Sequence, residues 1–414
     1  MAEAQTYAAR WIFPVDAPPL ERGTITVRGD KIIAVEPHGT RTPDVDLGNV
    51  AILPGFVNAH THLDLSGARG LLLPSPHRGR GVGGEGACDF TQWLRSVIAF
   101  RRSRTPEQVQ ADIAAGIAEC LRFGTTIIGD ISSGGASWDE LGEATCRALV
   151  FYELIGLTQQ RVEESIDAWD AWRAQAGAYP TCLFNLSPHA PYSTSMHLYL
   201  LAAHRSAHSK LPFATHLAET CEELELIRNK SGPFVQFLES LNAWEPDAFD
   251  SRLIDLFLRH HPGIFAHCNY LDPATPFTAD QTVVFCPRTH AAFGHPRHPF
   301  PQFLQRGVRV ALGTDSLASN PDLDILAEAR FVRRHYPEVA PATILRMLTL
   351  SGAEALGFDA DAGSLTPGKS ADLVILPLPD RDDADPHDLV FDSALPVLGA
   401  MFRGERSQRF TLSP

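Results

Sequence analysis

Gly55-Phe56-Val57-Asn58-Ala59-His60-Thr61-His62-Leu63-Asp64-Leu65-Ser66 is the stretch from which the architecture can be read. Val57, Ala59, Thr61 and Leu63 alternate with Asn58, His60, His62 and Asp64, so a strand here places both histidines on one face. Pro54-Gly55 marks the start and a Gly-rich segment follows, which leaves two imidazoles at the end of a short buried strand where a ligand can reach them. Histidine is the commonest metal ligand, yet many histidines merely sit at solvated strand ends. Further ligands must therefore come from downstream.

Composition bounds what such a strand can belong to. With 414 residues, 44% hydrophobic and 20% charged, the chain has the balance of a globular protein with a substantial core. Its 35 basic and 49 acidic residues give a net charge of -14, and no basic run interleaves with aromatics, so a nucleic-acid partner is not expected. Seven widely spaced cysteines without a C-x-x-C pair fit reduced thiols rather than a disulfide framework. The N-terminus lacks a basic region followed by an apolar core, and no apolar run approaches about 18 residues, so a cytoplasmic protein without a membrane association is expected.

Both ends of the chain read as β-structure. Short runs at Tyr7 to Phe13, Gly23 to Arg28, Lys31 to Val35 and Val50 to Leu53 are separated by turns, with Arg28-Gly29-Asp30-Lys31 as a hairpin. The stretch Gly363 to Pro377, then Val397 to Arg403 and Arg409 to Leu412, has the same character, so residues 1–54 and 364–414 are expected to form one small β-sandwich domain. Between them, apolar β-branched runs alternate with helical segments, the mark of βα units and a parallel sheet. The expected strands are Phe56 to Leu63, Thr125 to Ser132, Leu149 to Gly156, Cys182 to His189, Phe213 to Thr220, Gly263 to Tyr270, Thr282 to Thr289 and Val308 to Ser316. An eightfold repeat over residues 55–363 has the size of an α/β fold of the (β/α)8 TIM-like barrel type, and a doubly wound open sheet is the runner-up. One helix is legible in detail: Thr105-Pro106-Glu107-Gln108 combines an N-cap, a first-position proline and a capping-box Gln, with Gly124 closing it. Helices are also expected over 157–180 and 326–337.

Polar residues at the expected C-terminal strand ends converge. They are His60 and His62 on the first strand, His189 on the fourth, His216 and Glu219 on the fifth, His267 on the sixth, Arg288 and His290 on the seventh and Asp315 on the eighth. In a barrel all of them face one mouth, which makes a metal site the reading of the set. Three imidazoles (His60, His62, His216) and one carboxylate (Asp315) suit Zn2+, with Fe2+ as the alternative, and leave a position for water whose pKa falls towards roughly 7. A second metal would need a bridging group such as a modified lysine on the fourth strand. The only lysines are Lys31, Lys210, Lys230 and Lys369, so one metal is expected.

His60-Thr-His62, His216-Leu-Ala-Glu219, His267-Cys-Asn and Gly313-Thr-Asp315-Ser-Leu-Ala-Ser-Asn320, in that order, resemble the amidohydrolase superfamily across nearly the whole chain. Pro54 to His60 and Gly363 to Leu373 resemble the junctions between barrel and sandwich in that superfamily. Within it the sequence is most similar to the aminohydrolase branch of adenosine, S-adenosylhomocysteine and aminodeoxyfutalosine deaminases and triazine hydrolases. The resemblance implies metal ligation by His60, His62, His216 and Asp315. It further implies that Glu219 carries a proton from the attacking water to the ring nitrogen of a C=N bond, that Asp315 relays a proton to the departing ammonia, and that His267 orients the nucleophile or stabilises its charge.

Substrate contacts are expected from His189, Trp93 and Arg288. His189 resembles the family's fourth-strand histidine. Trp93 can cover a flat heterocycle, or belong to the core with Phe90 and Val97. Arg288, in Cys286-Pro-Arg-Thr-His290, offers a planar fork for a carboxylate, or pairs internally with an acid such as Asp272. The Pro-Arg-Thr-His stretch and Trp93 to Ala99 look like aminodeoxyfutalosine deaminases, whose substrate carries an adenine and a benzoate; this favours aminodeoxyfutalosine and a place in menaquinone biosynthesis. The alternatives are an S-adenosylhomocysteine or methylthioadenosine deaminase, or a triazine or pyrimidine amino- or chlorohydrolase. The segment Arg78 to Gly86 reads as a lid, lacking the G-K-[ST] of a phosphate loop. Arg101, Arg102 and Arg104 read as a solvated basic cluster, and a homodimer is expected only as the commonest assembly.

Overall fold

A computed structural model describes residues 3–74, 89–249 and 262–406. The expected segments Arg78 to Gly86 and Arg409 to Leu412, and Cys88, lie outside the described residues.

The centre of the chain is α/β with parallel strands. Labelled here β1 to β8, these are Phe56–Thr61, Thr125–Ser132, Arg147–Leu154, Cys182–Pro188, Phe213–Leu217, Gly263–His267, Gln281–Phe285 and Arg309–Leu312. They form two four-stranded sheets, β4-β3-β2-β1 and β5-β6-β7-β8, in which every neighbouring pair is parallel. The sheets meet at both edges. Thr61 and Asp315 form a parallel bridge, and His216 donates its backbone N–H to the His189 carbonyl at 2.9 Å. Gly313 permits the first of these contacts, since a Cβ there would lie 2.8 Å from His60 Cβ. β1, β2 and β3 are buried along their whole length, as strands of a parallel sheet covered on both faces are.

The ends of the chain make two further sheets. One orders Lys31–Glu36, Thr24–Arg28, Ala4–Ala8 and Val45–Asp46; the other orders Glu405–Arg406, Gly399–Phe402, Leu373–Pro377, Val50–Pro54, Trp11–Ile12 and Leu20–Glu21. Tyr7, Ile25 and Ile32 from the first share an apolar core with Ile52, Leu373, Ile375 and Met401 from the second. The expected single strand Tyr7 to Phe13 is therefore two pieces. Ala4–Ala8 pairs with Thr24–Arg28, while Trp11–Ile12 crosses to pair with Val50–Pro54, and the change of sheet breaks the ladder between them.

Val50–Pro54 runs almost directly into β1. Gly55 stands between them because a Cβ would fall 2.0 Å from Thr126 Oγ1, and its N–H donates to the Asp372 carbonyl at 2.9 Å. A buried Arg147–Asp372 ion pair ties the start of β3 to the terminal sheet at the same place. The first residues of the histidine strand are thus held from both sides.

Two helices follow β1: α1, Phe90–Ser103, and α2, Pro106–Arg122. The expected capping box opens α2, with Gln108 N–H donating to Thr105 Oγ1 at 3.3 Å and Thr105 N–H to Gln108 Oε1 at 3.0 Å. Gly124 follows at φ +87°, a conformation that favours glycine. The other two expected helices occur as Gln159–Gln175 and Ile325–His335. Among the described residues no helix is long and apolar enough to cross a membrane.

Most expected strands end one to four residues later in the sequence pattern than in the structure. The β5 and β6 ladders stop where Ala218 (φ 48°), His267 (φ 69°) and Cys268 (φ 56°) enter the left-handed region, and Asp315 (φ 58°) enters it three residues after β8. Non-glycine residues reach that region only when their surroundings hold them there, and such points cluster at functional sites.

Candidate active site

Those strained turns carry the polar side chains inwards. His60 on β1 and His62 just after it share a face as the alternation predicts, and their ring centroids lie 5.0 Å apart. His62 Nε2 and His216 Nε2 approach to 3.1 Å, while Asp315 Oδ1 lies 3.7 Å from His60 Nε2 and 3.6 Å from His62 Nε2. His60, His62 and His216 offer nitrogens mutually within 4.8 Å, and His60, His267 and Asp315 offer two nitrogens and a carboxylate oxygen within the same distance.

Donor and acceptor accounting tests whether this is a cation site. His216 Nδ1 lies 2.7 Å from the His189 carbonyl, so it carries the proton, and Nε2 presents its lone pair to the cluster. Buried His60 Nε2 and His267 Nε2 have no hydrogen-bond partner. Burial, the largest cause, holds the His60, His62 and His216 imidazoles well below their usual pKa, to about 3 for His216, so all three are neutral. Ligands about 2.1 Å from a tetrahedral ion stand about 3.4 Å from one another, close to the separations seen. Neutral imidazoles with convergent lone pairs beside a carboxylate fit a single divalent cation. Asp315 is pushed up to about 7, mainly by burial and against the opposing hydrogen bond from Ser319 Oγ at 2.9 Å, a penalty that a bound cation reverses.

Glu219 stands on the other side. Its carboxylate lies 3.6 Å from His267 Nε2, and burial first, then the charges of Asp315 and Glu223, raises its pKa well above the usual carboxylate range. The backbone that delivers it is gripped by the buried Glu223 carboxylate, which accepts the N–H groups of Ala218 and Glu219, each at 2.9 Å. Asn269 Nδ2 donates to the Glu219 carbonyl at 3.0 Å. A carboxyl kept protonated next to neutral imidazoles can donate and recover a proton near neutral pH.

His189 and Trp93 line the same narrow cavity as His62, His216, Glu219 and Asp315. His189 Nδ1 lies 2.7 Å from Ser193 Oγ, and its ring centroid is 4.9 Å from that of His216. Trp93 lines this cavity and also belongs to the apolar core, the second of its two expected places. It packs on Phe90 and Phe293, and its indole N–H donates to the Leu72 carbonyl at 2.8 Å, which sets the ring as a fixed wall.

Arg288 is placed elsewhere. Its Nε donates to Glu328 Oε1 and its Nη2 to Asp322 Oδ1, both at 2.6 Å, so the fork expected to meet a substrate carboxylate is closed by two acids of its own chain, neither of them Asp272. Glu328 is fully buried and also accepts from Asn320 Nδ2 at 2.6 Å, so the arginine braces the loop after Asp315. Arg288→Ala strands that carboxylate and is expected to lower stability by about 3 kcal/mol, read as a shift of the urea midpoint. A change within about 0.5 kcal/mol would deny the pair any structural role. His290 is likewise structural, with Nδ1 3.0 Å from Asn269 Oδ1 and Nε2 2.8 Å from the Pro296 carbonyl.

The arginine at the cavity is Arg101, expected to be solvated. Its Nε and Nη2 donate to Asp64 at 2.8 and 3.3 Å, and Nη1 donates to Glu153 at 3.4 Å. The clue was helical phase: Trp93, Val97 and Arg101 fall at i, i+4 and i+8 on α1 and line the cavity together.

The profile of the amidohydrolase family matches residues 51–406. A 5-methylthioadenosine/S-adenosylhomocysteine deaminase of Moorella thermoacetica is 29% identical over 404 residues, covering 91% of this chain and 86% of that protein. Among solved structures, an adenosine deaminase from Xanthomonas campestris with bound zinc superposes with a TM-score of 0.77 at 23% identity, covering 99% of this chain and 94% of that one. Helicobacter pylori aminofutalosine deaminase in complex with methylthio-coformycin gives 0.82 at 21% identity, covering 97% and 100%. At these identities the two structures speak to the fold alone.

Proposed function

The chain belongs to the amidohydrolase family, and we propose that it is a metal-dependent hydrolytic deaminase of an aminated purine nucleoside. The observation that carries this reading is Glu219: a buried carboxyl, its pKa raised well above the usual carboxylate range by burial, 3.6 Å from His267 and beside the His60, His62, His216 and Asp315 cluster. Displacing a good leaving group needs little proton traffic, whereas deaminating a C=N carbon needs the ring nitrogen protonated as water attacks and the amine protonated as it leaves.

In this reading residues 55–363 form a closed (β/α)8 barrel, and residues 1–54 with 364–414 a β-sandwich domain. The Thr61–Asp315 bridge and the His216–His189 hydrogen bond at the two seams support closure. His60, His62, His216 and Asp315 hold one divalent ion, Zn2+ in preference to Fe2+, which when bound acidifies water and polarises the reacting carbon. Glu219 carries one proton of the attacking water to the ring nitrogen, giving up its own and being reprotonated from that water. Asp315 accepts a proton from the attacking water and returns it to the amine, and His267 orients that water. His189 and the fixed Trp93 wall position the purine. The cavity as it stands, about 50 Å³, is far below the roughly 300 Å³ of pockets that bury a whole ligand, so its walls have to open to admit a nucleoside.

The curated relative points to 5′-thio-substituted adenosines. Aminodeoxyfutalosine keeps its sequence resemblance but loses the carboxylate anchor, because Arg288 is already engaged by Glu328 and Asp322. The deciding measurement is ammonia release by the purified protein from methylthioadenosine, S-adenosylhomocysteine, adenosine and aminodeoxyfutalosine, with metal analysis of the same sample. Release from at least one is expected, and a metal-loaded protein that deaminates none of them rejects the reading.

A further inference from the structure

We propose that His298 is a positioning residue that fixes the strained backbone, and hence the ring, of His267. Its kinetic consequence rests on the deaminase reading, its structural consequence does not.

Residue 267 is the last of β6, where φ of 69° and the following φ of 56° at Cys268 take the chain out of the strand. The register with β7 ends one residue earlier, at Ala266 opposite Val284, so the His267 carbonyl has no partner in that ladder. His298 supplies one: its Nε2 lies 2.6 Å from the His267 oxygen. A carbonyl oxygen only accepts, so Nε2 must carry the hydrogen. The other ring nitrogen is specified as firmly, because the Phe300 backbone N–H donates to His298 Nδ1 at 2.9 Å. The two bonds together select the neutral Nε2–H tautomer; protonating the ring would set an Nδ1–H against the Phe300 N–H.

The ring cannot easily turn from this task. His298 is 1% exposed, its centroid lies 4.2 Å from that of Phe285, and its own N–H donates to Tyr336 Oη at 3.2 Å. Nor can its neighbour His290 replace it, since both His290 nitrogens are engaged by Asn269 and the Pro296 carbonyl. The result is a directed chain from the Phe300 N–H through His298 to the carbonyl of His267. His267 Nε2 in turn stands 3.6 Å from Glu219, with its ring 5.5 Å from that of His60. The Cys268 N–H is held separately, by the Leu217 and Ala266 carbonyls at 2.8 and 3.1 Å, but His298 is what holds the carbonyl of residue 267; released from it, that peptide can turn and the His267 ring swing from Glu219.

The test pairs two substitutions with two readouts. His298→Phe keeps an aromatic ring against Phe285 but has no donor; His298→Gln keeps an amide N–H that reaches the same carbonyl. His298→Phe is expected to lower kcat by about 10- to 100-fold with KM and metal content near wild type, and His298→Gln to recover most of that loss. In crystals, residue 267 is expected to leave positive φ in His298→Phe and to retain it in His298→Gln. The proposal is overturned if His298→Phe keeps the residue 267 conformation, or if both variants lose activity equally in step with a lower Tm, which makes His298 a packing residue only. If wild-type protein deaminates no nucleoside, the functional reading falls, while the conformation of residue 267 in the two variants still decides the role of His298.

Discussion

Glu219→Gln lowers turnover by about 100-fold or more while the protein binds its metal as wild type does. The substitution keeps the shape and a hydrogen-bonding head group but cannot give up or take up a proton. Nothing in the ligand cluster depends on it directly: the close contacts among His60, His62, His216 and Asp315 do not include Glu219, whose carboxylate lies 3.6 Å from the neutral His267 ring. The backbone at 218 and 219 is also held independently, by Glu223 and Asn269, so the loop conformation survives the change. Steady-state ammonia release and metal content on one preparation make the measurement. Near-wild-type turnover removes Glu219 from proton transfer and with it the main reason to prefer deamination.

Stripping divalent metal with a chelator reduces ammonia release to background, at least about 100-fold, and adding back Zn2+ or Fe2+ restores it, without unfolding the protein. The second half of that expectation comes from the charge state of the cluster. Burial holds the three imidazoles neutral, and it raises Asp315 to about 7 where Ser319 still hydrogen-bonds to it, so the metal-free site holds no cluster of mutually repelling charges. Circular dichroism of the stripped protein should therefore match the loaded one. Full activity after exhaustive chelation would overturn the cation site, and loss of secondary structure on stripping would show that the ion is needed for folding rather than chemistry.

Much of this site could be read before any coordinates. The alternation at 57–64 placed His60 and His62 on one face, and they are together. Gly55, expected at the start of the strand, is there because of the close approach of Thr126. Periodicity carried such information because a strand's two faces and a helix's capping box are local consequences of backbone geometry. It failed at the strand ends, since a pattern of apolar residues does not announce a left-handed turn at an alanine, a histidine or an aspartate. It failed again on the arginines: Arg101 and Arg288 look alike as residues, and the expected roles of the two were close to the reverse of their placements.

By itself, then, the sequence determined the parallel βα succession, the shared face of His60 and His62 and the residue types that gather a cation. Only the tertiary structure decided which charged groups are left over to act. Arg101 finds Asp64 37 residues away and Arg288 finds Glu328 40 residues away, so which arginine faces the cavity depends on neighbours that no local pattern encodes. The same holds for Glu219 and His267, whose 3.6 Å approach exists because separate strained turns, held by Asn269 and His298 from far along the chain, point them at one another. Local geometry is set by residues a few positions apart, whereas burial and charge pairing are set by whatever the fold brings near, and it is the second that makes a carboxyl acidic or basic enough to work.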